Sequence, residues 1–304
     1  MVHRPLSRPL KGIIPPMVTP LDGPESLDRT GLERLIEHVI DGGVHGIFIL
    51  GTTGEGPALS YRLRRELVER TCAQVAGRVP VLVGITDTSH SESCALAVHA
   101  KNAGADAVVT APPFYFAVSQ SDLLRLVQLL SPEVKPPLYL YNMPSLTKCC
   151  FAPETVMRAA ELPNVWGLKD SSGELSYLRS IAMRMQGHPD FAVLVGPEEI
   201  LLDSLHSGAH GGVCGGANLF PRLFVSLYKA ACEGDLATAE ALQQKVRQIG
   251  RLLYGIGEAQ SSYLRGLKLG LELTGICRST LALPYTSADP SRHEMLREIL
   301  KEYV

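Results

Sequence analysis

A lysine at the end of a short apolar segment is the residue in this sequence that is best placed to do chemistry. The segment 165–172 (VWGLKDSS) is predicted to be a buried strand that ends in Lys169 and leads into a helix cap. Because side chains alternate along a strand, Gly167 and Lys169 share one face while Asp170 points away. A lysine directed into an apolar interior loses the hydration that favours its charged form, and the free amine can act as a nucleophile. A strand lysine can also extend to solvent, so the rest of the chain decides between these interpretations.

A tyrosine and two threonines give this lysine a chemical context. Tyr141 lies one strand–helix repeat before Lys169, which places the two residues on neighbouring strands. A phenol beside an amine can carry the protons of carbinolamine formation while the amine attacks a carbonyl. Thr52 and Thr53, with the glycines around them, supply hydroxyl and N–H donors suited to a small carboxylate. Together these residues predict an enzyme that forms a Schiff base with a 2-oxo acid.

The elements that must position these residues alternate regularly along the chain. Strands are predicted at residues 12–21, 43–51, 79–85, 105–110, 137–141, 165–169, 191–195 and 211–213. Helices are predicted between them at residues 27–41, 60–75, 91–103, 119–130, 153–161, 175–186 and 200–207. Eight such repeats indicate parallel βαβ units and predict an α/β fold, a closed (β/α)8 TIM barrel with its functional residues at the carboxyl ends of the strands. The alternative, an open doubly wound sheet, is disfavoured because no Gly-rich dinucleotide loop follows the first strand.

The last third of the sequence has helix patterns only. Helices are predicted at residues 222–233, 235–254, 261–274 and 290–302. We therefore expect a catalytic barrel over residues 1–224 and a C-terminal helical extension over residues 225–304. That extension is expected to pack on the barrel or to form an oligomer contact.

Composition and charge exclude several classes of partner. The 304 residues carry a formal charge of −2, which gives no reason to expect nucleic acid or an anionic membrane as a partner. No apolar run is long enough to cross a bilayer, and the first residues have no apolar signal-peptide segment. The seven cysteines lack metal-finger spacing and suggest reduced thiols. We expect a cytoplasmic enzyme that acts on small molecules.

Three motifs resemble a known family. GTTGE at 51–55, YNMPS at 141–145 and GLKDSSG at 167–173 are similar to signatures of the dihydrodipicolinate synthase/N-acetylneuraminate lyase family, the class I pyruvate aldolases. PPFY at 112–115 and GGANLFP at 215–221 extend the likeness over nearly the whole chain. The resemblance implies that Lys169 forms an imine with C2 of pyruvate, that Tyr141 shuttles protons, and that Thr52 and Thr53 hold the carboxylate. It also implies an enzyme that needs no metal and no organic cofactor.

The same resemblance assigns further positions. Tyr115 matches a tyrosine that members of the family insert into the site of the neighbouring subunit, and it could also pack a dimer interface. Gly196 and Val213 match positions that line the pyruvate pocket. The family implies a homotetramer assembled as a dimer of dimers.

The residues that would select the aldehyde depart from the synthase pattern. Dihydrodipicolinate synthases place an arginine where this chain has Leu146, and an apolar side chain cannot pair with the carboxylate of an amino-aldehyde. Lys148 could substitute for it, but leucine resembles the sugar-acid lyases and 2-keto-3-deoxy-acid aldolases, as does GPALS at 56–60. Glu198 and Glu199 match an acidic pair that binds sugar hydroxyls in sialic acid lyases; the alternative is a solvated helix N-terminus.

Three functions therefore remain open at this point. The first is a lyase or aldolase that cleaves a 2-keto-3-deoxy sugar acid to pyruvate and an aldehyde. The second is dihydrodipicolinate synthase, which condenses pyruvate with aspartate semialdehyde through the same imine. The third is a non-catalytic barrel that binds a ligand.

Overall fold

The structure of the protein is a computed structural model that describes residues 6–255 and 261–286, together with residues 294, 296, 297 and 300. Its strands are β1 (Gly12–Ile13), β2 (Leu21–Gly23), β3 (Ser26–Leu27), β4 (Ile47–Ile49), β5 (Val81–Gly84), β6 (Ala107–Thr110), β7 (Leu138–Asn142), β8 (Val165–Asp170), β9 (Ala192–Val195) and β10 (Gly211–Gly212). Its helices are α1 (Arg29–Asp41), α2 (Tyr61–Val75), α3 (His90–Ala103), α4 (Gln120–Glu133), α5 (Pro144–Thr147), α6 (Pro153–Ala160), α7 (Leu175–Arg184), α8 (Leu201–His206), α9 (Pro221–Glu233), α10 (Leu236–Tyr254) and α11 (Ser262–Leu273).

Eight of the strands form one parallel sheet. Their order is β1-β10-β9-β8-β7-β6-β5-β4, so successive strands of the chain are neighbours from β4 to β10. At the far edges, the N–H of Met17 donates to the carbonyl of Phe48 (2.8 Å) and the N–H of Phe48 donates to the carbonyl of Pro15 (3.0 Å). The predicted α/β fold with parallel βαβ repeats is confirmed, as are the helices that follow the last strand.

Several predicted element bounds were wrong. The first strand stops at Ile13 instead of residue 21 because Pro15 and Pro16 have no N–H to donate to a ladder. The residues after it form the antiparallel hairpin β2–β3, which was not predicted from the sequence. The short helix α5 was also not predicted, and β4 covers only three residues of the predicted 43–51. The helix predicted at 290–302 lies largely outside the described residues.

Local sequence explains where the helices begin. The Ser60 hydroxyl accepts from the N–H of Leu63 (3.3 Å) and starts α2, as its predicted cap role requires. Ser119 and Asp122 form a reciprocal capping box at the start of α4. The Asp235 carboxylate caps α10 by accepting from the N–H of Thr238 (3.1 Å). Short polar side chains at these positions satisfy N–H groups that the first helical turn leaves unpaired.

The core has two parts because both faces of the sheet are covered. Helices pack on one face, while on the other face the side chains of the strands pack against one another. This second group, here called the inner cluster, includes Phe48, Tyr139, Tyr141, Leu194 and Val213. Tyr141 is the register partner of Lys169 on β8, and Lys169 is the register partner of Leu194 on β9. These three residues therefore lie side by side across the sheet.

The C-terminal helices pack on one another and on the sheet assembly. Helix α10 contacts both α9 and α11, and α11 contacts the turn at Gly215–Asn218 that follows β10. The buried side chain of Asn218 accepts from the N–H of Val18 (3.0 Å) and donates to the carbonyl of Pro16 (2.9 Å). This amide ties the loop after the last strand to the chain that follows the first. Across the described ranges, no helix is both long and apolar enough to cross a membrane.

Candidate active site

Lys169 ends β8 with its amine buried among aromatic rings. The residue is 5% exposed. Its Nζ lies 4.0 Å from the ring centroid of Tyr141 and 5.1 Å from that of Phe48. The predicted placement of Tyr141 and Lys169 on neighbouring strands is confirmed, since the two residues are register partners. The interpretation of Lys169 as a residue that extends to solvent is therefore wrong.

The carboxylate next to Lys169 in sequence faces the other way, as strand alternation predicts. Asp170 accepts from the Nδ2 of Asn142 (2.8 Å) and from both the N–H and the hydroxyl of Ser172. Burial raises the pKa of Asp170, against the opposing effect of these hydrogen bonds. Within the described part of the chain, Lys169 forms no salt bridge.

The phenol of Tyr141 is held by several polar groups. Its oxygen lies 3.2 Å from the hydroxyl of Thr52. Burial alone would raise the pKa of Tyr141, but the charge of Lys169 and hydrogen bonds with Thr52, Ser171 and Lys169 lower the pKa overall. A phenol with a lowered pKa gives up its proton more readily. Tyr141 is therefore suited to move protons to and from a group bound at Lys169.

Position 167 requires glycine because another side chain occupies the space beneath Lys169. The sequence predicts that this glycine leaves space below the lysine. A Cβ at position 167 would lie 2.7 Å from the ring of Tyr139 and 2.6 Å from the carbonyl oxygen of Ala192. The space is therefore filled by the Tyr139 ring, which forms the floor under the site.

The loop after β4 turns sharply over the end of the sheet. Leu50 (φ 59°) and Glu55 (φ 55°) both adopt the left-handed conformation, which non-glycine residues rarely take. A Cβ at Gly56 or Gly84 would lie 2.3 or 2.4 Å from the carbonyl oxygen of Leu50, so the turn needs glycine at both positions.

Thr52 and Thr53 sit inside this loop with their side chains engaged by phenols. Thr52 meets Tyr141, and the phenol of Tyr263 on α11 lies beside Thr53. The backbone N–H groups of both threonines have no acceptor among the described residues. Backbone N–H groups that no protein acceptor satisfies are suited to hold an anion.

Glu55 ends the loop with its carboxylate buried against the C-terminal helices. Its Oε1 lies 2.5 Å from Nζ of Lys268 on α11, and both side chains are almost fully shielded from solvent. Its Oε2 accepts from the N–H of Ala282 (2.8 Å), and Lys268 also donates to the carbonyl of Thr280 (2.6 Å). Burial lowers the pKa of Lys268, and the nearby Glu55 carboxylate opposes this effect.

A cavity of about 490 Å³ opens above this loop and Tyr141. Apolar side chains form much of its wall, and polar groups enter from several elements. The hydroxyl-bearing residues among those that line it are Thr52, Thr86, Tyr141, Thr147, Ser261, Tyr263 and Tyr285. Within the described portion of the lining there is no lysine, arginine or histidine, so Lys169 itself is not a lining residue, and Glu55 is the acidic member. Such a wall suits a neutral, hydroxylated ligand.

Of the other predicted substrate-binding residues, some lie at this cavity and some lie elsewhere. Leu146, on α5, lines the cavity. Lys148 does not line it, because its Nζ donates to the carbonyl of Ser145 (2.6 Å). Val213 belongs to the inner cluster and Gly196 donates its N–H to the carbonyl of Asp170 (2.7 Å); neither lines the cavity.

Glu198 and Glu199 differ from each other in burial. Glu198 is buried, with its carboxylate accepting from the hydroxyl of Tyr254 (2.6 Å) and the N–H of Gly216 (2.8 Å). Burial raises its pKa to about 7, against the effect of these two hydrogen bonds. Glu199 is exposed, and neither residue lines the cavity. A solvated helix terminus therefore describes Glu199 but is wrong for Glu198.

Tyr115 stands away from the site of its own chain. The side chain is 81% exposed and packs edge-on against Phe116, with 5.1 Å between ring centroids. Phe114 and Phe116 are also exposed, so the loop after β6 presents three aromatic rings to solvent. A contiguous exposed apolar patch of this kind is typical of a protein–protein contact.

Sequence reasoning missed three residues that the fold brings to the site. Ser171 lies beside Tyr141, Tyr263 lies beside Thr53, and Lys268 is paired with Glu55. Ser171 follows Lys169 closely and could have been found from the motif. Tyr263 and Lys268 lie on a helix with no motif, so only the tertiary contact identifies them. In the part of the chain that the structure describes, no cluster of three His, Cys, Asp or Glu residues could hold a metal ion.

Comparison with known proteins agrees with this geometry. The model of the dihydrodipicolinate synthetase family matches residues 9–303. The chain is 34% identical over 301 residues, 98% of each protein, to the putative 2-dehydro-3-deoxy-D-gluconate aldolase YagE of Escherichia coli. It is 31% identical over 295 residues to a 4-hydroxy-tetrahydrodipicolinate synthase of Methanospirillum hungatei, covering 96% of this chain and 99% of that one.

Solved structures give the same result. The dihydrodipicolinate synthase of Bacteroides thetaiotaomicron superposes with a TM-score of 0.95 at 51% identity, over 97% of this chain and 99% of that one. The crystal structure of Escherichia coli YagE in complex with pyruvate superposes with a TM-score of 0.91 at 32% identity, over 96% and 98% of the two chains.

Proposed function

The chain belongs to the dihydrodipicolinate synthetase family, and we propose that it is a class I aldolase that cleaves a 2-keto-3-deoxy sugar acid, reversibly, to pyruvate and a hydroxylated aldehyde. The observation that carries the choice of aldehyde is the cavity wall beyond Tyr141. It offers hydroxyl groups and, among the described residues, no cationic side chain. The similarity to YagE supports the same substrate class. YagE is named as a putative 2-dehydro-3-deoxy-D-gluconate aldolase, and its crystal structure is a complex with pyruvate.

Lys169 is the nucleophile in this proposal. Its amine attacks C2 of the 2-oxo acid, a C–N bond forms, and the carbonyl oxygen takes a proton to give a carbinolamine. A second proton turns that oxygen into water, which leaves as the C=N bond of the imine forms. Tyr141, whose ring centroid lies 4.0 Å from the Lys169 amine, delivers and recovers these protons.

The carboxylate of the 2-oxo acid binds to the loop after β4. The free N–H groups of Thr52 and Thr53 donate to it, and the Thr52 hydroxyl stays bonded to Tyr141. Hydrogen bonds to a carboxylate are stronger than those between neutral groups, so two of them fix the orientation of C2 towards the amine.

Cleavage then proceeds within the protonated imine. The C4 hydroxyl loses its proton to a base, the C3–C4 bond breaks, and its electron pair moves into the imine to give an enamine and the free aldehyde. Protonation at C3 and addition of water to the imine release pyruvate and restore the Lys169 amine. The balance is redox-neutral and uses water and protons alone.

The synthase reaction is the alternative function, and one observation favours it. The chain is 51% identical to a protein whose crystal structure is that of a dihydrodipicolinate synthase. Aspartate semialdehyde carries a carboxylate, however, and Leu146 stands in the cavity wall where the synthases place an arginine. We therefore place this reaction second.

Reductive trapping tests the shared first step. The enzyme is incubated with pyruvate and borohydride, and a stable adduct on Lys169 is expected in the peptide mass spectrum. Lys169→Ala is the control and should carry no adduct. An enzyme that forms no adduct at Lys169 would be a ligand-binding barrel and not an aldolase.

A substrate panel then separates the two enzyme functions. Pyruvate release is measured from 2-keto-3-deoxy sugar acids of different length and stereochemistry. Condensation of pyruvate with aspartate semialdehyde is measured in parallel. Release from the sugar acids without condensation supports the aldolase, and the reverse result would establish the synthase.

The finer architecture is also part of the proposal. The backbone hydrogen bonds between Phe48 and the segment at Pro15 and Met17 support closure of the sheet into a (β/α)8 barrel, with residues 1–224 as the barrel and 225–304 packed on it. The exposed aromatic rings at Phe114–Phe116 support assembly with a second copy, whose Tyr115 would complete the proton path. A cytoplasmic homotetramer, a dimer of dimers, is the state we propose, and light scattering of the purified protein measures its mass.

A further inference from the structure

We propose that helix α11 is a working part of the active site. Through Lys268 on Glu55 and Tyr263 on Thr53, it holds the loop 51–55 in the shape that receives the substrate carboxylate. Lys268 and Tyr263 are thus positioning residues for the first half of the reaction. This inference rests on the proposed function, since it assumes that the loop binds the carboxylate of a 2-oxo acid.

The loop needs to be held because its backbone is strained. Leu50 and Glu55, at either side of Thr52 and Thr53, both have positive φ angles. A non-glycine residue stays in this conformation only where contacts with the surrounding structure hold it there. The loop therefore depends on contacts outside itself to keep its shape.

The contact at Glu55 supplies one of these restraints. Its carboxylate bridges Lys268 on α11 and the N–H of Ala282, while Lys268 is also bonded to the carbonyl of Thr280. The left-handed residue is thus fixed by the helix and by the segment that follows it. Burial of the pair from water makes the restraint strong, because an unpaired charge in this place would be very unfavourable.

The contact at Thr53 supplies the other restraint. Tyr263, near the start of α11, lies beside Thr53 and packs edge-on against Tyr254, with 6.1 Å between the ring centroids. One helix therefore engages two loop residues that flank Gly54. The Gly54 carbonyl in turn accepts from the hydroxyl of Thr19 (2.6 Å), which anchors the loop from the opposite side.

The pair of Lys268 and Glu55 has no direct part in the chemistry. The Lys268 side chain is fully buried and the Glu55 carboxylate is engaged on both oxygens. The pair acts on the substrate only through the loop that it shapes. Loss of the pair should therefore affect recognition of the carboxylate and leave the nucleophile intact.

The experiment compares two carbonyl reagents at the same lysine. Pyruvate carries the carboxylate and acetaldehyde lacks it, and each is trapped on Lys169 by a borohydride reagent and measured by peptide mass spectrometry. We expect Lys268→Met to slow trapping of subsaturating pyruvate by roughly tenfold to a hundredfold, as expected for lost hydrogen bonds to a charged group. Trapping of acetaldehyde should stay within about threefold of wild type. Tyr263→Phe should act in the same direction with a smaller change.

The control is Lys229→Met, which removes an exposed lysine that lies 3.8 Å from Glu233 on α9. It should leave both rates unchanged. If Lys268→Met does not fold, the double variant Glu55→Gln/Lys268→Met removes both charges and avoids an unpaired one. The double variant should show the same selective loss, because neutral partners no longer fix the loop.

The outcomes separate this inference from the proposed function. A wild-type enzyme that does not trap pyruvate would overturn both. If wild type traps pyruvate and the variants keep its preference over acetaldehyde, only the role of α11 is overturned. An equal loss with both reagents would also overturn it, because that result assigns the helix to general stability.

Discussion

The buried carboxylate of Glu198 makes the stability of this protein depend on pH in a way that one substitution should remove. Glu198 accepts from Tyr254 and from the N–H of Gly216, and the nearby Cys214 thiol is also fully buried. Burial raises the pKa of Glu198 from 4.5 to about 7. Burial raises the pKa of Tyr254 and the pKa of the Cys214 thiol well above their usual values, and the charge of Glu198 adds to this effect. These two groups therefore do not titrate in the same range as Glu198.

The sign follows from proton binding in the two states. Between pH 4.5 and about 7 the folded protein keeps the Glu198 proton while the unfolded chain loses it. The folded state then binds more protons, and the free energy of unfolding falls as the pH rises. Each pH unit is worth about 1.4 kcal/mol, so the full loss is on the order of 3 kcal/mol and stays constant at higher pH.

Glu198→Gln should abolish this loss because an amide carries no charge when buried. Compared with wild type, the variant should gain about 3 kcal/mol between pH 4.5 and pH 8, which corresponds to a few degrees in the unfolding midpoint. Thermal unfolding of both proteins across this range measures the difference at each pH. Glu199→Gln, at the exposed neighbouring position, is the matched control and should follow wild type. A difference between wild type and Glu198→Gln that does not change with pH would falsify the raised pKa.

Other substitutions test the site and its floor. Tyr141→Phe should slow imine formation by about a hundredfold or more, since the proton path is lost, while pyruvate still binds; rapid-quench trapping measures the rate, and a normal rate would remove the proton-shuttle role. Tyr139→Phe should raise the free energy of unfolding by roughly 1 kcal/mol in a denaturant titration, because the buried Tyr139 hydroxyl has no hydrogen-bond partner among the described residues; a clear loss of stability would contradict this. Gly167→Ala should lower stability by about 1–3 kcal/mol and slow trapping at Lys169, because the added Cβ meets Tyr139 and the backbone of β9; unchanged trapping would show that the strand tolerates the methyl group.

Much of the environment of Lys169 could be predicted from local sequence. Alternation along β8 places Gly167 and Lys169 on one face, and the repeat length puts Tyr141 beside Lys169. These relations depend on the fixed geometry of a parallel sheet, in which neighbouring strands keep one register and one direction. The predicted order of strands and helices was confirmed for the same reason.

The residues proposed to choose the aldehyde were harder to place. Leu146 lines the cavity, but Glu198 turns inward to Tyr254 and Gly216 while Glu199 remains exposed. Two adjacent acidic residues look alike in a sequence. Which of them is buried depends on α10, because this helix carries Tyr254 and packs on the turn at Glu198–Ile200.

The sequence by itself therefore determined the pyruvate half of the candidate site. Lys169, Tyr141 and Thr52 are set by motif and by strand periodicity, which are local properties of the chain. Only the tertiary structure decided that Tyr263 and Lys268 hold the loop 51–55, and that the Tyr139 ring fills the space left by Gly167. The physical reason is that these contacts join residues far apart in sequence, and no local pattern encodes which distant side chain will satisfy a buried hydroxyl or carboxylate.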